Sequence, residues 1–175
     1  MICFRHMKQH VKDFVNLHYG NQHAAKVIYG TLLLFVALIG IGSSGVSSGY
    51  LAALESLIAA LAIIIAEDYA ELIGFTIKNK RKLNAKERRG IFEDTVAVAT
   101  FCLVPILVLL GSESGFYSLD AAFSATYALC VLVLLIFSYW ASRLSRYNRP
   151  KSFLIAVITA SIGIAIILAK FFFTK

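Results

Sequence analysis

The stretch Tyr50–Ile77 is apolar, uninterrupted by proline, and longer than the roughly 20 residues a helix needs to cross a bilayer. A chain that must bury or immerse such a stretch has few folds open to it, because every backbone polar group in lipid has to be satisfied within the helix. Yet this stretch also carries Glu55, Glu67, Asp68 and Glu71. A carboxylate at the centre of a spanning helix costs about 2.5–3.5 kcal/mol on insertion scales. Glu67, Asp68 and Glu71 must therefore be protonated, paired or holding a cation.

Four further apolar runs accompany it, and hydrophobic residues make up 59% of the 175. The expected fold is all-α: a polytopic membrane protein of five transmembrane helices, at about 24–41, 50–77, 91–111, 119–140 and 152–173. Residues 1–23 hold basic residues and all four His but no continuous apolar core, so a cleaved signal is not expected. Instead Phe4, Met7, Val11, Phe14 and Val15 share one helical face and Arg5, Lys8 and Lys12 another. That pattern predicts an amphipathic helix lying in the headgroup plane. Cys3, His6 and His10 follow its edge at helical spacing, either as uncommitted polar residues or as a metal clip. The remaining 24–175 form one membrane domain.

The formal charge is +7, and its placement matters more than its size. Fifteen of the 17 Lys and Arg lie in the N-terminal segment and the loops at 78–90 and 143–151; the other two, Lys170 and Lys175, lie at the C-terminal end. The connections at 42–50 and 111–118 have none. Cytoplasmic loops carry the excess of Lys and Arg, so the N-terminus is expected in the cytoplasm and the C-terminus outside. Such tracts suit anionic lipid rather than nucleic acid, with Lys80, Arg81 and Lys82 as the expected lipid contacts. Cys102 and Cys130 read as small apolar fillers within spans.

Glu67 and Glu71 are four apart and share a helix face, and Asp68 lies beside them. Measured from an end near Ile77, Glu67 falls close to the bilayer midplane. No basic residue occupies the interior of another span, since Lys26 and Lys170 read as end anchors. Two readings stay open: a buried functional cluster with shared protons or a bound cation, or an interfacial set paired with Lys78 or Arg81. Tyr29, Thr31, Thr95 and Thr100 are neutral oxygens able to complete a cation site. Glu93 and Asp94 open the third span, either as carboxylates favoured by the helix dipole and Arg89 or as the mouth of the same pathway. Pro105 removes a backbone hydrogen bond inside that span and marks a hinge. Ala156/Ala160 and Ser124/Ala128 are small pairs that let helices approach closely.

Five spans with an acid-bearing second one, and the segment Ala66-Glu67-Asp68 through Gly74, resemble the vacuolar iron transporter family of divalent-cation carriers. The first span here carries no acid, and the loop after the second is short and basic. The resemblance implies a cation or proton site at Glu67, Asp68 and Glu71, with Glu67 and Glu71 as the metal-ligand candidates and a divalent cation as the implied cofactor.

The expected function is thus a small cation or proton transporter or channel using Glu67, Asp68, Glu71, Glu93 and Asp94. The alternative is a non-transporting membrane scaffold or assembly subunit that binds anionic lipid through its basic loops. No Ser/His/Asp or Cys/His arrangement and no phosphate-binding glycine loop is present, so an enzyme is not expected. Five helices enclose little, which favours a homodimer.

Overall fold

The computed structural model describes residues 24–173, apart from the side chains of 169–171 and 173. The segment 1–23, with its amphipathic helix and the Cys3/His6/His10 edge, lies outside the described residues. Five helices follow one another: α1 (Ala24–Ser43), α2 (Gly49–Asn79), α3 (Ala85–Gly111), α4 (Leu119–Leu144) and α5 (Arg149–Phe173). Each is long and apolar enough to span a bilayer, and no strand occurs among the described residues. The protein is a small integral membrane protein.

Polar residues set the helix ends. The Ser48 hydroxyl accepts from the Leu51 N–H at 3.2 Å, capping α2, and Ser118 does the same for Ala121 on α4. Asn84 and Glu87 form a reciprocal capping box, each side chain accepting the other's backbone N–H at 2.8 Å. That box starts α3 at Ala85, six residues before its apolar run begins at Ile91. The 78–90 stretch is therefore mostly helix, with only residues 80–84 left as a loop.

The most enclosed helix is α1, not the acid-bearing α2. Val27, Leu34, Phe35 and Leu38 are all within 1% of complete burial. Phe35 meets Tyr127 of α4 edge-on, with ring centroids 5.8 Å apart, and the Tyr127 hydroxyl donates to the Leu38 carbonyl at 3.3 Å. On α5, Gly163 lies against Phe35. On α3, Val98 sits where a Cβ on Gly30 would be, 2.7 Å from it, so only glycine lets α1 and α3 come this close. Around this axis α2 packs on α3, α3 on α4 and α4 on α5. The shell stays open between α2 and α5, and Ala25, Tyr29, Val36 and Gly40 of α1 are exposed in a single stripe.

The buried positions of α4 and α5 are mostly small residues. Ala122, Thr126, Cys130, Leu134, Ser138 and Ser142 recur every fourth position of α4 and are buried, as are Ser152, Ala156 and Ala160 of α5. Small side chains let backbones approach where lipid offers no hydrophobic drive. Ser124 and Ala128, by contrast, face outward. Pro105 is buried in α3, and the helix runs through it without a break.

Candidate functional site: a lysine–carboxylate cluster

Helices α1, α2 and α3 converge on one ammonium. Lys26 Nζ donates to Glu71 Oε2 and lies 3.0 Å from Asp94 Oδ2. Asp94 is buried at 5% exposure, and the Lys26 side chain retains 14%. The register follows from the close approach described above. Lys26 lies four residues before Gly30, and Asp94 four residues before Val98, so Gly30 against Val98 places Lys26 against Asp94 one turn away.

This corrects the expectation that no basic residue relieves the acids. The helix α2 is 31 residues long, about 46 Å, and overruns the ~30 Å hydrocarbon layer. Measured from the opposite helix ends, Lys26 lies seventeen residues from Ser43, Glu67 eighteen from Gly49, and Asp94 seventeen from Gly111. At 1.5 Å per residue they share a depth of about 26–27 Å, with Glu71 about 33 Å from its end. The cluster thus sits towards the basic end of the bundle rather than at the midplane.

Glu67 stands one turn from Glu71 on the same face of α2. Its Oε2 is 4.0 Å from the position a Cβ on Gly30 would take. Side chains lean towards the N-terminus of their helix, so Glu67 reaches away from the basic end, towards the level of Gly30 and Thr31. Asp68 turns to α3, where its Oδ1 accepts from the Thr95 hydroxyl at 2.6 Å; the same hydroxyl also lies 2.9 Å from the Ile91 carbonyl. The acids of the second and third spans therefore meet: Glu71 and Asp94 through Lys26, and Asp68 through Thr95.

Other expected participants lie apart. Glu93 pairs with Arg89 Nε at 2.9 Å on an exposed surface, the helix-internal arrangement that the i, i+4 spacing allows. Arg81 is not paired with the cluster. It clasps Glu87 with both guanidinium nitrogens, at 2.9 and 2.6 Å, and stacks over Phe75 at 5.0 Å. That Glu87 hydrogen bond raises the Arg81 guanidinium above its ordinary value. Lys78, Lys80 and Lys82 are exposed. Tyr29 is 53% exposed, and Thr100 donates to its own helix at Val96, so neither completes the cluster. Glu55 and Asp120 are exposed near the opposite end, where Glu113 accepts from the Tyr50 N–H at 2.9 Å.

Chemically, the site holds one amine against four carboxylates, Glu67, Asp68, Glu71 and Asp94, in a partly desolvated space. Among the described residues, no group of three or more His, Cys, Asp or Glu is placed to hold a metal ion. The position between Glu71 and Asp94 is taken by the Lys26 ammonium itself. No protein-family model, curated protein or solved structure matches the chain.

Proposed function

We propose that the protein conducts protons across the membrane, with Glu67 as the proton-exchanging group. The observation behind this reading is the charge imbalance of the cluster. Lys26 can balance one carboxylate, and its two contacts are Glu71 and Asp94. Glu67 is left in the same partly buried space without an ammonium of its own. A carboxylate within a span and with no cation in contact with it is the kind of group that carries protons through membrane proteins. A divalent-cation carrier, implied by the family resemblance, calls for several carboxylates around one ion, and here a lysine stands in that place. The basic end belongs in the cytoplasm on this reading, because the loops with the Lys and Arg excess are there.

The test is proton flux in vesicles reconstituted with the full chain and loaded with a pH-sensitive dye. Wild type should collapse an imposed pH gradient. Glu67→Gln should lower the rate at least about a hundredfold, the lower end of what positioned proton-transfer groups contribute. Glu93→Gln, an exposed carboxylate outside the cluster, should leave it unchanged. Wild-type vesicles no leakier than empty ones would sink the proposal.

The exposed Lys78, Lys80 and Lys82 favour a second reading, a scaffold held on anionic lipid. Each Lys near such a surface contributes about 1 kcal/mol. Replacing Lys80 and Lys82 by Gln would then abolish the biological role while Glu67→Gln would not.

A further inference from the structure

Beyond the cluster, towards the opposite end, a cavity of about 180 Å³ lies between α1, α3 and α4. Thr31, Leu34, Phe101, Pro105, Cys130 and Val133 are among its walls. By helix rise these residues lie about 9–21 Å from the opposite helix ends, in the middle of the bilayer. At roughly 30 Å³ per water in the liquid, the space admits about six. Water enters such a space only where polar groups receive it.

Three polar groups are on hand. Thr31 is buried at 6% exposure. The hydroxyls of Thr76, Thr100 and Thr159 all donate to the carbonyl four residues back, whereas among the described residues that of Thr31 makes no such bond. Pro105 has no N–H to give the carbonyl four residues before it, which belongs to Phe101, another wall residue. Cys130 contributes a thiol at 2% exposure. One turn further along α4, outside the walls of the cavity, the Thr126 hydroxyl is completely buried and has no hydrogen-bond partner. Buried hydroxyls left this way call for an occupant. At the other edge, Glu67 leans towards Gly30, the neighbour of Thr31.

We propose that this cavity is hydrated and forms the middle stretch of a proton path, passing protons between Glu67 and the face of the membrane opposite the basic end. The inference rests on the proton-carrying reading above. Each step conserves charge: Glu67 gives its proton to a cavity water, the water gives one to the next, and Glu67 is reprotonated from the basic end.

The experiment is thiol labelling of the full chain in vesicles, using single-cysteine variants. Cys3→Ser/Cys102→Ser leaves Cys130; Cys3→Ser/Cys130→Ser leaves Cys102, equally buried but not a wall of the cavity. The probe is a small, water-soluble methanethiosulfonate. Only a thiolate attacks it, and a thiolate needs water, so Cys130 should react at least about tenfold faster than Cys102. Thr31→Val, which keeps the shape and removes the hydroxyl, should slow both the labelling and the proton flux. Labelling of Cys130 no faster than Cys102 overturns the proposal, even if Glu67-dependent flux is found. Fast labelling of Cys130 with no flux keeps the hydrated cavity, overturns the path assigned to it and removes the function on which that path rests.

Discussion

Lys26 is a long, flexible cation held between two carboxylates of different helices. Its contribution is better read from what its removal leaves behind than from the strength of either contact. Removing one partner of a buried ion pair costs about 3–5 kcal/mol, because the other charge stays desolvated. Lys26 retains 14% exposure and Glu71 30%, so the lower end of that range applies. Lys26→Met should lower the unfolding free energy in detergent by about 3 kcal/mol. Adding Glu71→Gln should return part of the loss, giving a non-additive cycle, since the two residues share one interaction. Additive effects would mean that Lys26 and Glu71 are not coupled in solution. The acids were legible in the sequence; their partner was not. Depth along a helix can be counted only from a known membrane boundary, and the end of the apolar run at Ile77 is not one, because α2 is longer than the bilayer is thick. Lys26 looked like an end anchor because nothing in α1 alone says that α2 reaches past it.

At the scale of helices, the crossing of α1 and α3 sets the site. Gly30 is the contact point, and its neighbour Val98 is β-branched and stiff, so it has little room to move aside. Gly30→Val should force the helices apart at a cost of about 1–3 kcal/mol, in the usual range for overpacking. Because Lys26 and Asp94 lie one turn from the crossing, the same change should weaken their ion pair. Thermal unfolding checks the first effect, and a smaller penalty for Lys26→Met in the Gly30→Val background checks the second. The five apolar runs made the helices readable, and each was found. Their ends were less readable, because capping depends on single polar residues. The Asn84–Glu87 pair is a signature visible in the sequence, hidden only by the basic residues around it. The crossing is a different matter: a glycine in an apolar run does not announce which helix it faces.

For the whole molecule, α1 is the axis and the other four helices are its wall. In lipid the transfer of a side chain from solvent contributes little, so core packing stabilises mainly through close contact. Phe35→Ala should therefore cost at least about 2 kcal/mol, from the void left among α1, α4 and α5. Phe153→Ala, at a lipid-facing position of α5 with 59% exposure, should change stability little. Unfolding of both variants in the same detergent separates them. The all-helical bundle followed from composition and run length. That its centre would be α1 did not, since α1 is no more apolar than its neighbours, and enclosure depends on which faces meet.

The central place of α1 has a consequence for how the protein is made. This helix leaves the ribosome before the four that surround it, so the core is laid down first and the exterior assembled onto it. Until α2 and α3 arrive, Lys26 lacks its partners Glu71 and Asp94, and its ammonium has to be accommodated at the basic end of the membrane. Each later helix then finds a seat already formed, and α3 brings the last carboxylate that draws Lys26 inward. Ribosomes halted after α2 should leave Lys26 open to amine-reactive reagents; halted after α4, with α3 fully emerged, they should not.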